Sequence, residues 1–323
     1  MTMLARLSHK EILQLAKRAV IPPLSPEFHK GQCGRVCVVG GCEDYTGAPY
    51  FSAHSAALFG ADLTHVLCEL NAAPVIKGYT PNLMVHPYLR QAGSDGPPSM
   101  DKIRGLLDRM HVCVVGPGLG RDRQMLDSVV EILEYLTTAH KGEVPVVLDA
   151  DGLFLISDSR YSERMCAILR AFKPGRLVLT PNVVEFKRIL DRLGCESGAE
   201  VARALKCVVV EKGTDDCIWF EGSEPLKCSA TGSSKRVGGQ GDTLTGVIAT
   251  MLAFSRATHD FRIWQPPETL EWLPMVVTSC YVGSAITREC ARLAYEKVGR
   301  SMQTTDVNDR VGHAFERLLG ERD

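Results

Sequence analysis

Short runs of apolar residues recur along this chain, at 35–41, 64–69, 112–115, 145–149, 177–180 and 207–211. Several, such as VCVV and PVVL, are apolar at every position rather than at every second one. A strand with one wet face alternates; a continuous run belongs to a strand covered on both faces, as in a parallel sheet. Between these runs lie helical patterns at 9–18, 48–59, 123–138, 183–192, 243–253 and 272–297. Alternation of strand and helix over most of 323 residues predicts an α/β fold, with a mostly parallel central sheet and helices on both faces. After Cys207 the rhythm changes. Turn signals at 213–216 and 222–225 predict two hairpins, which add antiparallel strands at one edge. Segments 93–100 and 262–272 read as loops, and neither resembles a linker, so one domain over 1–323 is expected.

Composition excludes several classes. With 37 Lys+Arg against 38 Asp+Glu, the chain has no general field to draw in nucleic acid or an anionic membrane. An anion site must therefore be built locally. The longest apolar stretch, 275–294, contains Arg288, Glu289 and Arg292, and it predicts a helix buried on one face rather than a membrane span. The 12 cysteines form no Cys-x-x-Cys pair, and several lie inside strand-like runs. They are expected to pack as small buried hydrophobes in a reducing cytoplasm. The first twenty residues are basic and weakly amphipathic but lack an apolar signal core; a mitochondrial leader is the alternative, and Glu11 weighs against it.

Ligands of open α/β sheets bind beyond the carboxyl ends of the strands. Those positions are rich here in Gly, Asp and Asn. The strongest signal is VGGQGDTLTG at 237–246, three glycines running into an apolar helix. Glycines let backbone N–H groups converge on an anion, and the helix N-terminus adds orphan donors and a positive dipole end. Lys235 and Arg236 stand upstream to add charge. Asp242, at the helix entry, has two readings: it caps the helix, or it takes a proton from a hydroxyl that attacks a phosphoryl group. Neither a Walker A loop nor a G-x-G-x-x-G fingerprint occurs.

Other junctions are weaker. Asp149 and Asp151 follow a strand, where they suit Mg²⁺, a ligand hydroxyl, or simple capping by Asp151. Glu185, in the first turn of a helix behind Asn182, suits capping as well as chemistry. The EKGTDD segment reads as a hairpin turn, and Tyr45 and Thr46 sit at a strand–helix junction where a substrate could lie. No two of the nine histidines have metal-ligand spacing, so the metal ligands stay unassigned.

Taken in order, K-G-x-x-G-R-V-x-V-V-G-G at 30–41, Y-T-G-A-P-Y at 45–50, V-V-G-P-G-L-G-R-D at 114–122, V-V-L-D-A-D-G at 146–152, L-T-P-N-V-V-E-F-K-R at 179–188 and G-G-Q-G-D at 238–242 resemble one family. It is the eukaryotic form of the ATP-dependent (S)-NAD(P)H-hydrate dehydratases, of the ribokinase-like superfamily, and the likeness spans about residues 8–319. The resemblance implies a lyase that repairs hydrated nicotinamide cofactors, NADHX and NADPHX. ATP phosphorylates the added ring hydroxyl, Mg²⁺ assists, and phosphate is eliminated to leave NADH or NADPH. It also implies a separate NAD(P)HX epimerase as functional partner, and leaves a homo-oligomer open.

Carried over by motif, Gly118, Asn182, Val183, Val184, Glu185, Phe186, Lys187 and Arg188 would contact the hydrate. Lys212, Gly213, Thr214, Asp215 and Asp216 would lie along ATP. Gly232, Ser233, Ser234, Lys235, Arg236, Val237, Gly238, Gly239, Gln240 and Gly241 would cradle its phosphates, and Asp242 would act on the substrate hydroxyl. The chain departs from many bacterial relatives at Asn182–Val183–Val184 and at Gln240. A vitamin-precursor kinase of the same superfamily, and a nucleotide-binding regulator without turnover, are the competing readings.

Overall fold

The computed structural model describes residues 4–221 and 224–320. Its elements run α1 (His9–Ala19), β1 (Arg35–Val39), α2 (Gly47–Phe59), β2 (Leu63–Glu69), α3 (Ala72–Tyr79), β3 (Met84–Leu89), α4 (Met100–Leu107) and β4 (Val112–Val115). Next come α5 (Arg123–Thr138), β5 (Val146–Leu148), α6 (Asp151–Ser157), α7 (Ser162–Arg170), β6 (Leu177–Leu179), α8 (Val183–Leu193), α9 (Gly198–Leu205) and β7 (Val208–Glu211). The chain closes with β8 (Asp216–Trp219), β9 (Leu226–Cys228), α10 (Gln240–His259), α11 (Trp272–Val298), α12 (Thr304–Asn308) and α13 (Val311–Leu319).

The nine strands among the described residues join one sheet in the order β3-β2-β1-β4-β5-β6-β7-β8-β9. The first seven run parallel, whereas β8 and β9 are antiparallel at one edge, as the hairpin signals predict. Of the second predicted turn, Gly222 and Ser223 lie outside the described residues. Continuous apolar runs do mark strands buried along their length: β4, β5 and β6 have no exposed position. Successive residues face opposite layers. Val36 and Val38 pack with α1, α2, α10 and α11, whereas Cys37 and Val39 pack with α4 to α7. In the first layer α10 is buried at every residue from Asp242 to Thr258. A helix wrapped in protein on all sides holds its N-terminus in a fixed place.

Strands β2 and β3 extend one way from β1, and β4 to β9 extend the other. The winding reverses between β1 and β4, and such a reversal leaves a crevice at the carboxyl ends of the strands. Loops 40–46, 116–122, 149–150, 180–182 and 212–215 all end there. Among the described residues, no helix is long and apolar enough to cross a membrane.

Candidate active site

The glycine loop enters α10 through Gly239, the N-cap, at φ +97°. That left-handed backbone suits glycine, and a Cβ there would stand 2.5 Å from Thr304 Cγ2. Thr304, in α12, donates its hydroxyl proton to the Gly238 carbonyl, so a segment 66 residues away seats the loop. Helix α10 begins at Gln240, three residues earlier than the sequence pattern suggests, and Gly241 and Asp242 belong to its first turn. Their amides have no intrahelical partner and face outward as anion donors.

Asp242 does not cap the helix. Gly239 holds the N-cap position, and no protein group among the described residues hydrogen-bonds the Asp242 carboxylate. The residue is 9% exposed. Burial, reinforced by the neighbouring Asp149 charge and only partly offset by Lys212, pushes its pKa up to about 8. Asp149 directly follows β5, is buried, and accepts from Lys212 Nζ at 2.8 Å and from Thr180 Oγ1 at 2.8 Å. Burial works against the Lys212 charge, but Asp149, Glu185 and Asp242 outweigh it and hold that pKa above its ordinary value. A Cβ on Gly241 would lie 3.3 Å from Lys212 Nζ and 3.8 Å from Asp149 Oδ2. Two carboxylates and one ammonium thus meet directly beneath the open end of α10.

Beside this cluster is a cavity of about 490 Å³. Lys212, Gly213, Thr214, Asp216, Gly232, Ser233, Arg236, Val237, Gln240 and Gly241 line it, together with Asn182, Val183 and Leu244. Ten of the residues assigned to ATP by resemblance therefore share one wall. Asp215, Ser234, Lys235, Gly238 and Gly239 do not line it. Lys235 is committed elsewhere, to the carbonyls of Arg300 and, at 2.7 Å, of Met302, so it ties the loop to the segment between α11 and α12 rather than lending charge to the cavity. Asp216 opens β8 and is buried against Arg288, whose Nη2 donates at 2.8 Å. The same guanidinium donates to the carbonyls of Gly213 at 3.1 Å, Thr214 at 2.7 Å and Ala230 at 3.3 Å. Arg288 therefore fixes the KGTDD turn and the start of the glycine segment together.

Of the residues assigned to the hydrate, Asn182 and Val183 share that cavity, and the others lie on the other flank of Asp149. Gly118, at φ +59°, has no room for a side chain: a Cβ would be 2.7 Å from the Tyr45 carbonyl, and its own carbonyl accepts from Gly41 N–H at 3.1 Å. Asn182 and Glu185 form a reciprocal capping box at the start of α8. Burial also raises the Glu185 pKa, against the pull of Lys212. Val183 and Val184 stand 64% and 59% exposed at the mouth, and Lys187 and Arg188 are exposed. Phe186 instead packs into the core layer under the sheet, 8% exposed. Asp151 does not cap α6, whose N-cap is Ala150 at φ +45°. It accepts from Gly120 N–H at 3.0 Å and from Arg121 Nε at 3.2 Å, tying two strand-end loops together. Tyr45 is exposed beside Gly118, while Thr46 shares a hydrogen bond with Tyr79 at 2.7 Å.

A family model described as NAD(P)H-hydrate dehydratase matches residues 36–311. The chain belongs to the NAD(P)H-hydrate dehydratase family. ATP-dependent (S)-NAD(P)H-hydrate dehydratase of Saccharomyces cerevisiae is 54% identical, covering 98% of this chain and 100% of its own. The enzyme of that name from Schizosaccharomyces pombe is 42% identical, over 95% of this chain and 93% of its own. Among solved structures, a ribokinase-like superfamily protein from Enterococcus faecalis superposes with a TM-score of 0.70 at 23% identity, over 98% of this chain and 96% of that one. The ADP/ATP-dependent NAD(P)H-hydrate dehydratase of Bacillus subtilis, co-crystallised with ATP/Mg²⁺, gives 0.62 at 22% identity, over 94% and 96%. These superpositions establish the ribokinase-like fold.

In this family member, sequence reasoning misses Arg288, Thr304 and Thr180. A charged side chain at a buried position of an otherwise apolar helix is the one signal that points to Arg288. Among the described residues no group of three or more His, Cys, Asp and Glu side chains is placed to hold a metal ion. Mg²⁺ delivered with a nucleotide needs only one or two carboxylates beside the phosphates, and Asp149, buried near Gly241 of α10, fits that requirement.

Proposed function

We propose that this chain is an ATP-dependent (S)-NAD(P)H-hydrate dehydratase, a single ribokinase-like domain that returns NADHX and NADPHX to NADH and NADPH. The names of its relatives support the activity. One observation carries the mechanism: Asp242 is a buried carboxylate without a hydrogen-bond partner among the described residues, set between the amides of α10 and the Asp149–Lys212 pair. ATP occupies the 490 Å³ cavity with its phosphates toward Gly241, and the hydrate lies across Gly118 and the start of α8.

Asp242, with a pKa near the working pH, takes the proton of the ring hydroxyl. The freed oxygen attacks the terminal phosphorus, the bridging P–O bond breaks and ADP leaves with its electron pair, while the charge on the transferring group faces the Gly241 and Asp242 amides and the Lys212 ammonium. Asp149 would help hold Mg²⁺, which would neutralise charge on the phosphates. Phosphate then leaves with the electron pair of the C–O bond, and loss of a proton from the adjacent carbon restores the double bond. Phosphorylation turns hydroxide, a poor leaving group, into a good one.

On this reading the enzyme works in the cytoplasm, with a mitochondrial form as the alternative; all 12 cysteines are free, which suits a reducing compartment. A separate epimerase would convert the other hydrate epimer into the S form. The test supplies purified protein with the hydrate, Mg²⁺ and ATP. Reduced-nicotinamide absorbance should return, with one ADP and one free phosphate per turnover. Accumulation of a stable phosphate ester would instead identify a kinase.

A further inference from the structure

Past Glu185 the surface continues as a shelf along α6 and α8. A recess of about 70 Å³ and a wider depression of about 630 Å³ share Arg121, Phe154, Ser157 and Arg188 as lining residues. The recess also includes Glu185 and Asp151, and Glu185 feels the charges of Lys212 and Asp149, so the shelf adjoins the reaction centre.

Arg121 is held in place. Its guanidinium lies 4.3 Å from the centroid of the Phe154 ring, and its Nε donates to Asp151 at 3.2 Å. Both terminal nitrogens of Arg121 lack a hydrogen-bond partner among the described residues. Arg188 is exposed and has no hydrogen-bond or ion-pair partner among them. The acids nearby are engaged. Asp151 accepts from Gly120 N–H and Arg121, Asp158 accepts two bonds from Arg160 at 2.9 and 3.0 Å, and Glu185 accepts from Asn182 N–H at 2.9 Å. Asp191 is the one acid lining the shelf without such a tie among the described residues. A pinned arginine fork and an unpaired arginine on one ledge form a recognition element for a phosphate group.

We infer that Arg121 joins Arg188, which the family resemblance already sets against the hydrate, to clamp a phosphate of that dinucleotide, a contact that rests on the reaction assigned above. Two phosphates of that ligand could meet them: the pyrophosphate bridge, present in NADHX and NADPHX alike, or the 2′-phosphate, present in NADPHX alone.

Steady-state kinetics with each S-hydrate at saturating ATP, on Arg188→Ala, Arg121→Ala and Arg188→Lys, tests the clamp. Each alanine variant should raise the hydrate KM about tenfold, the loss of one charge-assisted hydrogen bond. The KM for ATP and the kcat should stay within about twofold of wild type. Lysine at 188 should recover part of the loss. A rise for both hydrates assigns the pyrophosphate, and a rise for NADPHX alone assigns the 2′-phosphate. Arg188 is exposed, so its variant should keep the wild-type melting temperature, and a folded Arg121→Ala or Arg188→Ala with unchanged KM for both hydrates overturns the clamp. A wild-type protein that turns over neither hydrate overturns the reaction assignment, and the clamp with it.

Discussion

The two flanks of the crevice are held together differently. On the nucleotide flank, distant segments are locked by buried polar ties: Arg288 of α11 gathers Gly213, Thr214, Asp216 and Ala230, and Thr304 of α12 seats Gly238. The hydrate flank is built from strand-end loops held by one local cap and by backbone contacts to neighbouring loops. Asn182 and Glu185 cap their own helix, and Gly118 folds against the loop after β1. A flank held by long-range ties is rigid and depends on one or two side chains. One joined mainly through backbone amides and carbonyls spreads the same task over many weak constraints and leaves cations such as Arg188 free for ligand.

If that contrast is correct, the largest effect comes from Arg288→Ala. It strands the buried Asp216 charge, so stability to denaturant should fall by about 3–5 kcal/mol, and the KM for ATP should rise far more than the KM for the hydrate. Equal rises in both KM values would break the distinction between the flanks. A smaller effect is expected on the other side from Gly118→Ala. Left-handed backbone and the close Tyr45 carbonyl predict a loss of about 1–3 kcal/mol, with the hydrate KM raised and the ATP KM unmoved. A Gly118→Ala enzyme with normal hydrate KM would show that this turn only shapes the crevice.

The same contrast explains what the sequence discloses. Local signals are legible because they lie within a few residues: the buried runs of β1, β4 and β5, the glycines before α10, the Asn182–Glu185 spacing. Strand β3 escapes notice because MVHPYL is neither continuous nor cleanly alternating, and its Pro87 argues against a strand. At the sheet edge a missing N–H is tolerated, and that is where β3 lies. Helices α3 and α6 escape because one contains Pro and Gly and the other has seven residues. In the site, Lys235 looks like a phosphate ligand from its neighbours in sequence, yet the carbonyls that claim it are 65 and 67 residues away. The roles of Arg288 and Thr304 are hidden for the same reason: their partners are set by the packing of α11 and α12, not by spacing.

Asp242 belongs to both flanks, and its titration links them. In the unfolded chain its carboxyl titrates near the ordinary 3.8, whereas in the folded protein burial moves it up to about 8. Between those values the folded state binds the extra proton, so this residue detracts from stability increasingly as pH rises from about 4 to about 8. Asp242→Asn removes that burden, and its melting temperature should exceed that of wild type most at pH 8 and above. Activity should move in the opposite direction, and the hydrate kcat/KM of wild type should climb with pH until the carboxyl is ionised.

Turnover of hydrate by Asp242→Asn, followed as ATP-dependent return of reduced-nicotinamide absorbance, tests the central claim most directly. A carboxylate that accepts the hydroxyl proton predicts a kcat lower by about 10²–10⁴-fold, with ATP still bound as in wild type. Wild-type turnover in the folded asparagine variant would contradict it.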